Sequence, residues 1–427
     1  MSDRDPAERL SRRRFLGAAG LAGAGAAAMA PRMAMAGTAV PDPNIVNIPE
    51  WTLSLGDGVD AHPYGVPSEH EKSVIRRTVP WLTATTESSV AFTPLYALDG
   101  IITPNGLCFT RDHGGAAQID PARHRLMIHG MVDKPLVFTM EDIKRMPGRV
   151  NRIYFLECAA NGAMEWHGAQ MNGCQFSHGM IHNVVYTGIP LKTFLDQVGV
   201  KPKAKWLLAE GADDACMSRS IPMEKALDDC LVAFAMNGEA LRPEQGYPLR
   251  LVVPGWQGNM WIKWLRRIEV GDEPWQQREE TSKYTDLVKN GIARRFTWAM
   301  DAKSVITSPS PQAPYKVQGW NVISGIAWTG RGKVKRVDVS FDGGRNWVTA
   351  RLEDPVLPLS MTRFYLDFEW KGQEMLLQSR AMDETGYVQP TKAELRKIRG
   401  SSSVYHNNGI QTWLVHKGGE VENVEVG

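Results

Sequence analysis

Cys158 sits in the setting that points most directly to chemistry. It follows a short apolar run, Ile153 to Leu156, and leads into Ala159, Ala160, Asn161 and Gly162. The run reads as a buried strand, and the small turn-prone residues leave space above the sulfur. A thiolate at a strand end, facing a cavity, suits a nucleophile or a ligand to a soft metal. The competing reading is a structural cysteine, because a free thiol also packs as a small hydrophobe. The five cysteines, Cys108, Cys158, Cys174, Cys216 and Cys230, include no CxxC pair and no CxxCH for covalent haem attachment. An odd number in an exported chain leaves at least one thiol free, here assigned to Cys158. Pairing among the other four is left open.

The export reading comes from the N-terminus. Ser11-Arg12-Arg13-Arg14-Phe15-Leu16 precedes an Ala/Gly-rich run from Gly17 to Ala30 and the small-x-small signature Ala34-Met35-Ala36. Residues 1–36 read as a twin-arginine signal addressed to the periplasm. A membrane anchor is the weaker reading, since the run is glycine-rich and short of the roughly 20 apolar residues that span a bilayer. The twin-arginine route carries folded proteins, which suggests a cofactor inserted before export. The segment holds six basic and three acidic residues, so its removal takes the formal net charge from +2 to −1. No basic face points to nucleic acid. No membrane span is expected after the signal.

The length predicts two domains, and 43% hydrophobic residues with 14 Trp supply their cores. Residues 37–95, rich in Pro, Thr and Ser, read as an extended arm. Residues 96–290 read as a mixed α+β domain. Its strands are expected over 125–129, 153–156, 206–208, 231–236 and 249–253, with helices over 139–144 and 191–198. A Pro/Ser-rich crossing ends near Pro311. Period-two strands follow over 333–342, 347–352, 363–370 and 375–382, with a Gly343-Gly344 hairpin turn. Residues 300–427 therefore read as an immunoglobulin-like β-sandwich without its disulfide.

From about Phe109 to the end, these residues resemble the sulfite oxidase family of molybdenum enzymes. Cys-Ala-x-Asn after the apolar strand comes first. Met236-Asn237-Gly238-Glu239, Gly246-Tyr247-Pro248-Leu249-Arg250, Val253-Pro254-Gly255, Lys263-Trp264-Leu265, Asp342-Gly343-Gly344 and the 383–390 stretch DETGYVQP follow in order. Within the family the likeness is greatest to molybdenum subunits of sulfane dehydrogenases. The resemblance implies an α+β molybdopterin domain, a dimerising sandwich, and molybdenum held by one pyranopterin dithiolene and the Cys158 thiolate. It places Phe109, Arg111 and His113 in the loop around the pterin phosphate. Arg250 matches the pterin-binding arginine. Trp261 and Lys263 fall in the stretch Gly258-Asn259-Met260-Trp261-Ile262-Lys263-Trp264, from which the family arginine is absent. Gln245 replaces a family histidine, and Glu210 stands near the pterin-side aspartate. Tyr284 falls at the active-site tyrosine. Plainer readings compete: a surface salt bridge for Arg111, a solvated Lys263, and a loop tyrosine at a domain junction for Tyr284.

The chain departs from the family by losing positive charge. Animal and plant sulfite oxidases carry oxyanion-binding arginines where this chain has Gly162 and Ala163. A second such arginine falls in the region reading Tyr405-His406-Asn407-Asn408-Gly409. A small dianion in a desolvated pocket wants bidentate arginine. Its loss argues for sulfur delivered covalently on a carrier protein, whose remote contacts supply binding energy. His167 and His178 either line this mouth or serve as structural histidines, the second being preferred. The resemblance thus implies oxygen transfer from water to protein-bound sulfane sulfur during thiosulfate oxidation. With no haem motif in this chain, electrons pass to a c-type cytochrome subunit, in a heterotetramer built on a homodimer through the sandwich. The rivals are a periplasmic sulfite dehydrogenase using free sulfite, an exported reductase repairing oxidised methionine, and a non-catalytic immunoglobulin-like binding protein.

Overall fold

The computed structural model describes residues 67–426 apart from 80–82 and 84, together with positions 55, 59 and 61. The expected signal over 1–36, and the arm over 37–66 save those three positions, lie outside the described residues. The chain from Ser68 onward forms one compact unit. The described end of the arm adds two short strands, Arg77–Thr78 and Val90–Phe92, which pair with each other and then with Thr110–Arg111.

Two sheets build the first domain. One runs Leu136–Thr139, Arg125–Gly130, Leu265–Gly271, Trp206–Gly211, Ser218–Pro222, and only the Arg125–Gly130/Leu265–Gly271 pair is parallel. The other is antiparallel: Val150–Glu157 pairs with Ile181–Pro190, which pairs with Leu231–Met236, and Glu239–Ala240 and Arg250–Val252 pair with the last. Helix Leu191–Val198 buries Leu191, Phe194, Leu195 and Val198, the spacing of one helical face, and ends at Gly199 with φ 68°. Helix Met140–Arg145 is closed by a reciprocal Thr139–Asp142 capping box.

Strand Val150–Glu157 separates two cores. Successive side chains on a strand point to opposite faces. Leu156 accordingly packs into the first-domain core with Val184, Leu251 and Trp261, while Phe155 packs into the sandwich core with Val305, Trp328 and Trp413. Burial on both faces explains why this run is apolar without alternation.

The sandwich pairs a four-stranded sheet (Lys303–Ser308, Gly319–Trp328, Thr362–Trp370, Arg351–Leu352) with a five-stranded one (Val348–Thr349, Val334–Ser340, Met375–Asp383, Thr412–Val415, Val421–Val424). Lys303–Ser308 lies inside the stretch read as a crossing. The expected return strand divides into Val348–Thr349 and Arg351–Leu352, one in each sheet, around buried Ala350. Strand Val334–Ser340 breaks its expected alternation at Asp338. That buried carboxylate pairs with Arg336 at 3.1 Å and Arg380 at 3.3 Å. All five cysteines are free, and only Cys216 is exposed. No helix among the described residues is long and apolar enough to cross a membrane.

Candidate active site

At the end of strand Val150–Glu157 the chain turns at once. Cys158 N donates to Met180 O and Asn161 N to Cys158 O, each at 2.9 Å. The Asn161 side chain ties the turn down: Nδ2 donates to Glu157 Oε1 at 2.9 Å, and Oδ1 accepts from Met180 N at 3.1 Å. The Gly258–Met260 turn passes so close that a Cβ on Gly258 would lie 2.8 Å from Glu157 O. Burial pushes the Cys158 thiol pKa up, opposed by an Ala160 backbone hydrogen bond and by Arg111.

Above the sulfur lies a cleft with about 650 Å³ of empty space. Nine of the ten expected site residues line it: Phe109, Arg111, His113, Cys158, Gln245, Arg250, Trp261, Lys263 and Tyr284. Lys263 fastens the walls together, donating to Arg111 O at 3.1 Å and Glu244 O at 3.0 Å and pairing with Asp112. It is an internal brace, not the solvated lysine of the plainer reading. Gln245 Nε2 donates to Phe109 O at 2.9 Å, and Arg250 donates to Gln245 O at 3.1 Å. Arg250 is 2% exposed and has no carboxylate partner among the described residues; its guanidinium lies 5.6 Å from the Tyr186 ring centre.

Glu210 corrects the sequence reading. It faces Arg267 across the sheet and is held there, 2.6 Å from Arg267 and 2.8 Å from Arg266. The strand ends at Gly211, the chain turns, and it is Asp213 of this segment that lines the cleft, as Glu244 does from elsewhere in the chain. His167 and His178 line neither the cleft nor the adjoining chamber. His178 is buried and bonded to Ser177 Oγ at 2.8 Å.

A second space, about 880 Å³ and open to solvent, adjoins the first. Cys158, Arg111 and Tyr284 line both. The chamber is walled by Val90, Phe92, Met164, Met171, Phe176, Met180 and Val404, with Gly162, Ala163 and Tyr405 at the positions read as charge losses. Among the described residues that line it, Arg111 is the one cation. Tyr284 stands at the junction in a left-handed conformation, φ 53°, that costs free energy in a non-glycine residue. Its hydroxyl is 3.0 Å from His113 Nε2, and its ring lies tilted against that of Tyr405, with centres 5.0 Å apart. Burial, with Arg111 and Lys263 nearby, pushes His113 down to about 3, while burial raises the Tyr284 phenol.

Sequence reading missed Asp213, Asn259, His182 and Arg219. Asn259 lay inside a stretch already singled out. Arg219 carries no local signal: it is buried under Tyr284 and reaches Glu279 O at 2.6 Å.

Residues 113–279 match the oxidoreductase molybdopterin binding domain, and residues 294–413 match the Mo-co oxidoreductase dimerisation domain. The crystal structure of the sulfane dehydrogenase SoxCD from Paracoccus pantotrophus superposes with a TM-score of 0.88 at 59% identity, covering 91% of this chain and 100% of that one. The chain belongs to the sulfite oxidase family. Among curated family members, the mitochondrial sulfite oxidase of Drosophila melanogaster is 32% identical over 71% of this chain and 58% of its own length. A nitrate reductase of Solanum lycopersicum is 30% identical over 69% of this chain and 36% of its own. The chain thus spans from about a third to three fifths of these two relatives.

Membership of the sulfite oxidase family brings a molybdenum–molybdopterin cofactor, and the cleft fits it. Arg250 Nε, both polar atoms of Asn259 and His182 Nδ1 are buried without hydrogen-bond partners among the described residues. Such groups are costly unless an occupant satisfies them. Arg250 offers a buried positive charge to a phosphate, and Phe109, Trp261 and Trp264 supply flat apolar walls. Among the described residues no cluster of three or more His, Cys, Asp or Glu is placed to hold a metal.

Proposed function

We propose that this chain oxidises sulfane sulfur carried on a partner protein, and that the electrons leave to a c-type cytochrome subunit. The chamber carries the reading: it opens on Cys158, and among the described residues Arg111 alone offers positive charge within it. A free sulfite dianion would give up its hydration there for one guanidinium. A sulfur at the tip of a carrier arm brings only the reacting atoms inside, while contacts outside supply binding energy. The likeness to SoxCD over that chain's full length supports the same reading.

In this mechanism Cys158 would supply the thiolate ligand. Arg250, Gln245 and Asn259 would hold the cofactor's polar groups, with Lys263 bracing the loop behind them and Phe109 and Trp261 as apolar walls. When bound, the cofactor supplies two-electron redox chemistry and the transfer of a water oxygen to sulfur. Arg111, shared between cleft and chamber, steadies negative charge on the substrate. The Tyr284 hydroxyl keeps its proton at neutral pH, because burial raises its pKa. Neutral His113 fixes that hydroxyl through Nε2, so the phenol is oriented toward the junction where substrate meets cofactor.

Residues 1–36 act as the twin-arginine signal, and the sandwich forms a homodimer in the periplasm. Steady-state kinetics on sulfite and on a persulfide-bearing carrier test the proposal. The carrier should be used with far higher kcat/KM. Equal efficiency would replace this reading with the free-sulfite one, which draws its support from Arg111.

A further inference from the structure

Glu157 is fully buried directly before Cys158, yet it stands in an ion pair. Its Oε1 accepts from Lys303 Nζ at 3.2 Å and Asn161 Nδ2 at 2.9 Å, and its Oε2 accepts from Trp328 Nε1 at 2.6 Å. Lys303, itself 2% exposed, also donates to Asn161 O at 2.9 Å. One ammonium thus grips both ends of the Cys158 turn. Gly162, which closes that turn at φ 87°, leaves room for it: a Cβ there would lie 3.4 Å from Lys303 Nζ.

The grip comes from the second domain. Lys303 and Trp328 lie on sandwich strands. Two more contacts reach the turn from beyond residue 400: His406 N donates to Ala159 O at 2.8 Å and Asn407 Nδ2 to Gly162 O at 3.0 Å. A buried ion pair is a poor stabilising device, since apolar residues of similar volume often do as well or better. It is an effective orienting device where both carboxylate oxygens are hydrogen-bonded, as for Glu157 here, which accepts three bonds.

We propose that Glu157 and Lys303 are positioning residues for the Cys158 thiolate, through which the C-terminal sandwich sets the geometry and electronic surroundings of the metal ligand. This rests on Cys158 as that ligand. The test uses the holoenzyme and the double variant Glu157→Gln/Lys303→Met, which strands no buried charge and keeps an amide oxygen able to accept from Asn161. Expected are parent-like molybdenum content, an altered Mo(V) electron paramagnetic resonance spectrum, and a kcat lower by about tenfold or more with KM within about twofold, as displaced reacting groups produce. Trp328→Phe, which removes one donor and keeps an aromatic ring, should alter the spectrum less and serves if the double variant does not fold. A parent-like spectrum and kcat in whichever variant folds overturns the proposal. Cys158→Ser separates the premise: if its spectrum matches the parent, the ligand assignment fails instead.

Discussion

The guanidinium carbon of Arg219 lies 5.7 Å from the centre of the Tyr284 ring. The arginine is 1% exposed, and its charge is answered by Glu280 at 3.6 Å, equally buried. Glu280 in turn accepts from Ser220 Oγ at 3.0 Å and, across the helix start, from Gln277 N at 3.3 Å. A buried cation therefore supports the tyrosine that stands between cleft and chamber, and the Arg278–Thr281 helix holds the cation.

Removing that cation alone should be severe. Arg219→Met leaves Glu280 buried without its partner, a change that typically costs about 3–5 kcal/mol. The double variant Arg219→Met/Glu280→Gln should recover most of this. Denaturant midpoints check it; a single variant as stable as the parent refutes the role given to the pair.

Cys158→Ser should fold normally, with a melting temperature close to the parent, because one oxygen replaces one sulfur. Turnover should nearly vanish, because a hard hydroxyl cannot stand in for a soft thiolate. Near-parent activity would rule out Cys158 as the metal ligand.

Ala163→Arg should improve the use of free sulfite. Ala163 lines the chamber, and one charge-assisted hydrogen bond is worth about 1.5–3 kcal/mol, or roughly tenfold to a hundredfold in kcat/KM. The carrier-bound substrate should be used no better than before. An unchanged sulfite kcat/KM would show that charge is not what the chamber lacks.

Acid should destabilise the fold through its buried histidines. Burial holds His178 well below its ordinary pKa of 6.5 and pushes His406 down to about 4. At pH 7 both are neutral, folded or unfolded. As pH falls below about 6.5 the unfolded chain takes up protons that the folded chain refuses, so each buried histidine removes up to about 1.4 kcal/mol per pH unit. For His406 that loss continues until the folded chain also protonates near 4. The urea midpoint should drop clearly between pH 7 and pH 5; a flat profile would contradict it.

Arg12→Lys with Arg13→Lys should leave the protein in the cytoplasm, because the paired arginines are read as an address. Cell fractionation decides it: normal periplasmic levels of the variant would dismiss the signal.

Much of the site was legible because its carriers are local. Cys158 follows its strand within the same run of residues, and helix Leu191–Val198 matches its expected bounds because its apolar spacing and the Gly199 stop are adjacent in sequence. Nine of the ten residues marked from the sequence line the cleft for the same reason. Strand Ile181–Pro190 escaped notice because its buried polar residues find partners far away: Asn183 Nδ2 donates to Ile101 O, and its Oδ1 accepts from Ser360. Glu210 and Asp213 lie three residues apart, and only the end of the strand at Gly211 decides which of them faces the cleft. Lys303 and Arg219 read as ordinary cations in the sequence. Each becomes a support for the site only when a carboxylate 146 or 61 residues away is folded against it. Residue types, spacings and turns determine what a segment can do. Which buried charges meet is decided by packing, because an ionic group leaves water only where the tertiary fold delivers its partner.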